Sequence, residues 1–576
     1  MLPLDEIQTD ILILGAGGAG MLAALHARTL SPTLRITLVV KGLLGQSGCT
    51  RMVQGGYNCV LNPGDSIDKH FTDTIKGGQF INNQDLAYTL VNDSPDRIIE
   101  LENVVGCLFD RNPDGTIHQK PFAGQSFDRT VHKGDLTGIE IMSNLRDWVL
   151  DQGNIQVLEE TRGLDLLMGN GSCTGAVLLD NRKGRFVAVR AKATLLATGA
   201  GATMYEISSP SLEKAGDGQA MAYRVGAEFI DMEMMQFHPT GLLVGRSIAT
   251  GGLLEEGLRG AGAHLFNAKG ERFMEKYSDK LERATRDVVS RSSYLEIMAG
   301  RGTPSGGVLI DATHMKDVAK NFKGMVERCA EYGFDLVGSR VEVSPSAHYH
   351  MGGVKIDNQC KSNIDGLFAA GEDAGGVHGA NRLGGNGVAD SIVFGARAGD
   401  SMAEYVSTKP DPAYSRAAAE EICKRWMAPM DRKTGESPFE LRAEMERIMW
   451  RKVGVVRNGP AMREAVGELA DVRQRIEKAS GSGSTIFNSK WNEVINTANL
   501  VVIAEMLTQS ALLREESRGA HYRLDFPEQN GDWLKNILCL PVGDDLKFSY
   551  QDVKFTRLQP PPEILQPPKA KPTVGA

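Results

Sequence analysis

Six residues near the N-terminus, Gly15-Ala16-Gly17-Gly18-Ala19-Gly20, have the types and spacing to hold a pyrophosphate. The first glycine of such a run permits a tight turn. The second lets the backbone approach phosphate oxygens, and the third lets a helix pack closely on a strand. A second set of reactive side chains lies much later, in short segments most of which also carry glycine. These are Gln236-Phe-His238-Pro-Thr240-Gly241, Glu256-Gly-Leu-Arg259-Gly260, Arg286-Asp-Val-Val-Ser-Arg291, Ser346-Ala-His348-Tyr-His350-Met-Gly-Gly353 and His378-Gly-Ala-Asn-Arg382-Leu-Gly384. Arginine presents a planar, two-pronged donor that suits carboxylates. The i, i+3 spacing of Glu256 and Arg259 puts both on one face if the segment is helical.

The elements that must position these groups follow from the flanking residues. An apolar run at 10–14 precedes the glycines, Met21–Leu30 has helical character, and a second apolar run covers Ile36–Val40. Strand, glycine turn, helix and strand form the first unit of a dinucleotide-binding fold. The second strand ends Val39-Val40-Lys41, without the acidic residue that commonly grips a ribose, so the ribose contact is expected to be made differently. Glycine is over-represented, with 65 among 576 residues against a usual ~7%. It clusters at Gly45-Gln-Ser47-Gly48, Gln54-Gly55-Gly56, Gly199-Ala-Gly201, Gly216-Asp217-Gly218, Gly375-Gly376 and Gly384-Gly385-Asn386-Gly387. The run Ala193–Ala197 before Thr198-Gly199 reads as another buried strand ending at a ligand. Distant segments are thus expected to return to one cofactor. From 413 to 512 charged helical patterns dominate, which predicts about four helices with a break at Gly481-Ser-Gly483-Ser484. The tail from Gln559 is Pro-rich and reads as extended or flexible.

Composition excludes several classes. The net charge of −8 and pI of 5.9 give no bulk attraction to nucleic acid or anionic lipid. No pair of the eight cysteines has CxxC spacing, so no zinc site or iron–sulfur cluster within the chain is expected, and no metal. Sparse cysteines suggest a reducing compartment. The acidic N-terminus lacks a secretory pattern, and no window approaches ~20 apolar residues. A cytoplasmic protein is expected, reaching the inner face of a membrane only through partners.

The reactive segments, in this order, together with Arg129, Asp135-Leu-Thr137-Gly138 and Arg514-Glu-Glu-Ser-Arg518-Gly-Ala-His521-Tyr-Arg523, give the chain its likeness from about residue 8 to 540. It resembles the flavoprotein subunit of succinate dehydrogenase and fumarate reductase, a family that includes L-aspartate oxidase. The resemblance implies an α/β fold. A discontinuous Rossmann-like FAD-binding domain (1–240 and 345–405) would carry an inserted α+β capping domain (241–344). A helical domain (406–525) and a small C-terminal domain with the tail (526–576) would follow. The implied FAD-binding residues are Gly15, Gly17, Gly18, Gly20, Lys41, Ser47, Cys49, Thr50, Gln54, Gly55, Gly56, Thr198, Gly199, Asp217, Glu372, Arg382 and Asn386.

Oxidising a succinate-like acid to an enoate removes a hydride and a proton from adjacent carbons. The cofactor takes the hydride; the protein must hold two carboxylates and move the proton. By resemblance His238, His348 and Arg382 hold carboxylates. Arg286 exchanges the proton, Glu256 and Arg259 relay it to solvent, and Phe122 presses on the dicarboxylate. His350 matches a variable position and is expected at most to line the pocket. Phe122 stands where aspartate oxidases tend to carry an acid, which favours a substrate without an amine. Electrons would pass to a separate iron–sulfur subunit, with an anchor or quinone reached through partners.

Two positions depart from the family pattern. Cys49 replaces the histidine that many respiratory members link covalently to flavin, so non-covalent FAD is expected, a cysteinyl link being the alternative. Glu255 replaces the threonine of the usual Thr-Glu-Gly, and an ionised carboxylate there would repel substrate. Either Glu255 points away, or it is protonated, or the substrate is a substituted succinate. Asn386-Gly387-Val388 also departs from the common Asn-Ser-Leu. The leading function is interconversion of succinate and a fumarate-type enoate. The alternatives are a stand-alone L-aspartate oxidase and an electron-transfer subunit with weakened catalysis.

Overall fold

The structure, a computed structural model, describes residues 2–543 and 545–566. At its centre is a five-stranded parallel sheet in the order Leu367–Ala369, Ala193–Leu196, Ile11–Leu14, Ile36–Val39, Ile155–Leu158. The first four of these strands are buried throughout, because a parallel sheet is covered on both faces. That is why they read as largely apolar runs, broken only by buried Thr37 and Thr194. The helix Gly18–Leu30 leaves the strand Ile11–Leu14 through the glycine turn and packs against the helix Asn386–Ser407. The approach is close: a Cβ on Gly395 would stand 2.5 Å from the Ala19 carbonyl oxygen, and one on Gly399 2.4 Å from that of Ala23. This late helix returns the chain to its own beginning, so the cofactor fold is built from two separated stretches.

The inserted unit hangs on two long strands. Met235–Leu242 and Val341–His350 pair antiparallel, and Val308–Asp311 and His264–Phe266 complete a four-stranded sheet. Phe237 and Ala347 sit in the main core, whereas Leu242, Val341 and Val343 join a separate apolar cluster with Phe273, Val289 and Met325. Each strand therefore crosses from one core to the other, and His238 and His348 lie at the crossing.

Four helices follow: Arg416–Asp431, Pro438–Lys452, Gly459–Ile476 and Ser489–Leu513. The Gly481–Ser484 break falls between the last two, as the sequence predicts. The last helix braces the cofactor loops, with Leu500 and Ile503 against Gly201 and Ile503 against Gly216. A hairpin, Lys535–Val542 and Asp545–Asp552, adds to the strand Phe229–Ile230 and so joins a sheet of the first domain. Buried ion pairs tie the two regions: Arg514 to Glu233 at 2.6 Å and to Glu516 at 3.0 Å, and Arg518 to Glu516 at 2.7 Å. The start of the tail is anchored, since Gln84 Nε2 donates to the Leu558 carbonyl at 2.7 Å and Gly531 N to that of Gln566 at 3.0 Å. Residues 567–576 of the tail lie outside the described residues. Among the described residues no helix is long and apolar enough to cross a membrane.

Two glycines in helices should respond oppositely. Gly399→Val overpacks the helix contact and should destabilise by about 1–3 kcal/mol. Gly467 is exposed, and a Cβ there meets nothing within 4 Å. Gly467→Ala should therefore stabilise by up to ~1 kcal/mol. Urea denaturation measures both; equal effects would contradict the packing described.

Candidate active site

Two cavities adjoin beneath the crossing strands. They share Cys49, Val53, His348, Arg382 and Val388. The first follows the glycine turn. Gly15 has φ +108°, and a Cβ there would lie 2.1 Å from the Ala197 carbonyl oxygen, so only glycine lets these strand ends meet. The helix Gly18–Leu30 begins at Gly17 with no side-chain cap, and Gly18 N donates to Thr50 Oγ1 at 3.1 Å. Its remaining first-turn N–H groups form a ready anion site. Along the same cavity Asp217 accepts from Arg162 Nη2 at 2.6 Å, from Asn499 at 2.8 Å and from Lys41 at 3.2 Å. Burial pushes the Asp217 carboxyl up, but Arg162 and Lys41 outweigh it and hold it at about 2. Burial, with Arg162 beside it, lowers Lys41 to about 8. Glu372 is paired with buried Lys214 and accepts from His350 N at 2.9 Å. Asp373 caps Thr198 N and Gly199 N. A helix N-terminus with open N–H groups, beside glycine-lined walls and a polar far end, fits FAD.

The second cavity holds the arginines. Arg286 Nε donates to Glu256 Oε2 at 2.7 Å. Arg286 Nη1 and Arg382 Nη2 converge on one oxygen, Gln236 Oε1, at 3.3 and 3.0 Å. Gln236 Nε2 is in turn held by Asn381 Oδ1 at 2.8 Å and the Arg382 carbonyl at 2.7 Å. Arg382 lies over the Tyr349 ring at 4.4 Å, and its buried Nε has no hydrogen-bond partner among the described residues. Burial and Arg286 lower Arg382 to about 10. Burial pushes the Glu256 carboxyl up, but Arg286 and Arg259 hold it below its ordinary value. His238 and His348 stack edge to face with centroids 5.4 Å apart. Burial first, then the nearby arginines, drives both well below the ordinary histidine value, so both are neutral at pH 7. Thr240 N and Thr240 Oγ1 both stand 3.3 Å from His238 Nδ1. Gly384 lets Phe122, Glu256 and Arg286 crowd together: its Cβ would lie 2.7, 2.9 and 3.0 Å from them. The arrangement can bind an anion, donate hydrogen bonds from neutral histidines and move a proton along Arg286 and Glu256.

An FAD binding domain model matches residues 10–388, and a fumarate reductase flavoprotein C-terminal model matches 442–568. The chain is 42% identical over 536 residues to one chain of the fumarate reductase (CoM/CoB) of Methanothermobacter marburgensis, covering 92% of this chain and 97% of that one. It is 33% identical over 583 residues to the fumarate reductase flavoprotein subunit of Escherichia coli, covering 97% and 96%. A substituted form of E. coli quinol fumarate reductase FrdA superposes with a TM-score of 0.92 at 33% identity, over 97% of this chain and 98% of that one. The chain belongs to the succinate dehydrogenase/fumarate reductase flavoprotein family.

Most residues that the family likeness pointed to come together. Gly15, Gly17, Gly18, Lys41, Ser47, Cys49, Thr50, Thr198, Gly199, Asp217, Glu372 and Arg382 line the first cavity. Phe122, His238, Glu255, Glu256, Arg286, His348 and Arg382 line the second. Several placements differ from expectation. Gln54, Gly55 and Gly56 line the second cavity rather than the first. Gly20 lines neither, because it packs on the Gly15 carbonyl. Asn386 faces away from both: its amide is bonded to Asn58 at 2.7 Å, Thr74 at 3.1 Å and His70 at 3.1 Å. Arg259 lies behind Glu256 and donates to the Glu282 carbonyl at 2.6 Å, so among the described residues no direct bond links it to Glu256. His350 donates toward the Met232 carbonyl at 2.8 Å and lines neither cavity.

Glu255 does not point away. It lines the second cavity and accepts from Lys120 Nζ at 2.7 Å. Lys120, Gln236, Arg162 and Lys214 are the partners that sequence reasoning missed. Gln236 and Lys120 sat inside recognised segments, next to residues of interest. Arg162 and Lys214 carry no local signal, since only the fold brings them to Asp217 and Glu372.

Because the folded Glu256 carboxyl sits below its ordinary 4.5, the stability it contributes is present above that pH and is lost as pH falls through the folded value. Glu256→Gln should therefore cost most at neutral pH. The gap to wild type, followed by denaturation at several pH values, should close on acidification; a gap that widened would contradict the assigned charge.

Proposed function

We propose that this chain is the FAD-dependent catalytic subunit that interconverts succinate, or a substituted succinate, and the corresponding fumarate-type enoate. The observation that carries the reading is the convergence of Arg286 and Arg382 on Gln236 in the cavity that also holds His238, His348 and Glu256. A dicarboxylate needs two anion-binding groups at opposite ends and one proton carrier between them. His238 offers a neutral ring, His348 stands beside it, and Arg382 offers an Nε with no partner among the described residues. FAD, when bound, supplies or accepts the hydride. In the reducing direction the Arg286 guanidinium gives the balancing proton to the adjacent carbon and recovers one from protonated Glu256; in the oxidising direction it first yields its proton to ionised Glu256 and then, neutral, takes the one from the carbon. Glu256, ionised and 2.7 Å away, steadies the guanidinium and receives or returns the proton. Gly15, Gly17 and Gly18 would hold the pyrophosphate, with Lys41 and Asp217 at the far end of the cavity.

Phe122 argues against an amine-bearing substrate, and Glu255 does not reverse that, since Lys120 already engages it. The FAD is proposed to be non-covalent. Burial pushes the Cys49 thiol up, which leaves little thiolate to attack a flavin. The electron acceptor is proposed to be an iron–sulfur partner. Met52, Leu136, Ile139 and Leu212 are 51%, 50%, 37% and 57% exposed, and they line one recess with Ser47 and Gly48, beside the cofactor cavity. Such a cluster suits a protein partner. A membrane anchor or quinone would be reached through that partner at the inner face of the membrane. The domain limits 1–240 with 345–405, 241–344, 406–525 and 526–576 are proposed likewise, with the separate apolar core of the inserted unit in support.

Steady-state assays test the reading: succinate with an artificial acceptor, fumarate with reduced viologen, and L-aspartate with oxygen. Turnover of the succinate–fumarate pair is expected, and turnover of L-aspartate alone would contradict it. After acid precipitation the flavin should stay in the supernatant; colour retained in the pellet would sink the non-covalent assignment.

A further inference from the structure

Glu255 puts a second carboxylate into a cavity whose proposed ligand is a dianion. It is 6% exposed and lines the same wall as Phe122 and Glu256. Two like charges a few ångströms apart in a partly desolvated site repel by several kcal/mol, enough to abolish binding if nothing offsets it. The offset comes from a segment 135 residues away in sequence, where Lys120 Nζ donates to Glu255 Oε1 at 2.7 Å.

We propose that Lys120 is a positioning residue for the substrate's carboxylate, acting by neutralising Glu255 so that the wall beside Phe122 presents no net charge. This rests on the dicarboxylate reading given above. The wall is contiguous. A Cβ on Gly55 would stand 2.5 Å from the Phe122 ring and 3.4 Å from Glu255 Oε1, and Lys120 Nζ lies 5.7 Å from the centre of that ring. Lys120 is also rigidly placed. Its short strand, Gln119–Lys120, pairs with Thr130–Val131, and the preceding Arg129 is locked by Asp65 at 2.9 Å and Asp73 at 2.6 Å with no exposure. The lysine side chain is 18% exposed, so solvent screens the pair only weakly. A neutral ion pair thus stands where the family pattern has a neutral hydroxyl. With Arg286 paired to Glu256, Arg382 is the arginine beside it that has no carboxylate partner among the described residues. Lys120 lines neither cavity itself, so it acts through Glu255.

The test compares wild type, Lys120→Met, Lys120→Arg, Glu255→Gln and the double variant Lys120→Met/Glu255→Gln. Succinate is titrated into the FAD-loaded protein and followed by flavin absorbance, and KM and kcat are measured for fumarate with reduced viologen. Lys120→Met should raise both the succinate Kd and the fumarate KM by at least about tenfold while kcat changes less than about threefold, as expected of an uncompensated charge near an anion. Lys120→Arg should stay near wild type, and the double variant should recover most of the lost affinity. A double variant as weak as Lys120→Met, or a loss of kcat at unchanged KM, overturns the proposal. Should Lys120→Met fail to retain FAD, Glu255→Gln alone decides: it is expected to bind succinate at least as tightly as wild type, and weaker binding refutes the idea. A wild-type protein that bound no succinate would instead overturn the dicarboxylate reading, on which this one depends.

Discussion

Two buried guanidinium groups share one amide oxygen. Arg286 and Arg382 each donate to Gln236 Oε1, at 3.3 and 3.0 Å, with Glu256 the one carboxylate bonded directly to either among the described residues. Burial first, and then the like charge of Arg286, lowers Arg382 to about 10. The fold must hold the pair against that repulsion. Gln236 comes from a strand that crosses between two cores, Arg286 opens the helix Arg286–Glu296 in the inserted unit, and Arg382 precedes the long helix Asn386–Ser407. Separate elements, each anchored by its own apolar packing, converge on one point. An anion bound between the two guanidinium groups would offset that repulsion.

The same economy of charge runs through the rest of the site. Neutral histidines, set by burial, can offer hydrogen bonds without adding net charge. Lys120 cancels Glu255, Lys214 is matched by Glu372, and Arg162 with Lys41 matches Asp217. Arg382 lines both cavities and has no carboxylate bonded to it among the described residues. Glycine serves the same end by other means. At Gly15 it lets two strand ends close over the cofactor turn, and at Gly384 it lets an aromatic ring, a carboxylate and a guanidinium crowd together.

The fold was largely legible in the sequence, because its signals are local. Apolar runs at 11–14, 36–39 and 193–196 announce a covered parallel sheet, and the four late helices announce themselves by periodicity. The first cavity could be foreseen from its glycines. Pairing was not legible. Whether Glu255 is repulsive depends on Lys120, and whether Asp217 is free to meet a ligand depends on Arg162 and Asn499, all far away in sequence. Asn386 shows the converse. It matched a motif beside the flavin, yet the start of its helix turns the amide toward Asn58, Thr74 and His70. A motif identifies the residue, whereas tertiary neighbours decide what its side chain is free to do.

In the proposed mechanism Arg286 moves the proton, and its fixed geometry, rather than its charge alone, allows it to do so. Arg286→Lys keeps the charge and removes the planar fork that meets Glu256 and Gln236 at once. Fumarate turnover with reduced viologen, measured on variant protein shown to retain full FAD, should fall by about a hundredfold or more, the scale of a lost positioned acid. Turnover near that of wild type would remove Arg286 from the proton-transfer role and contradict the account.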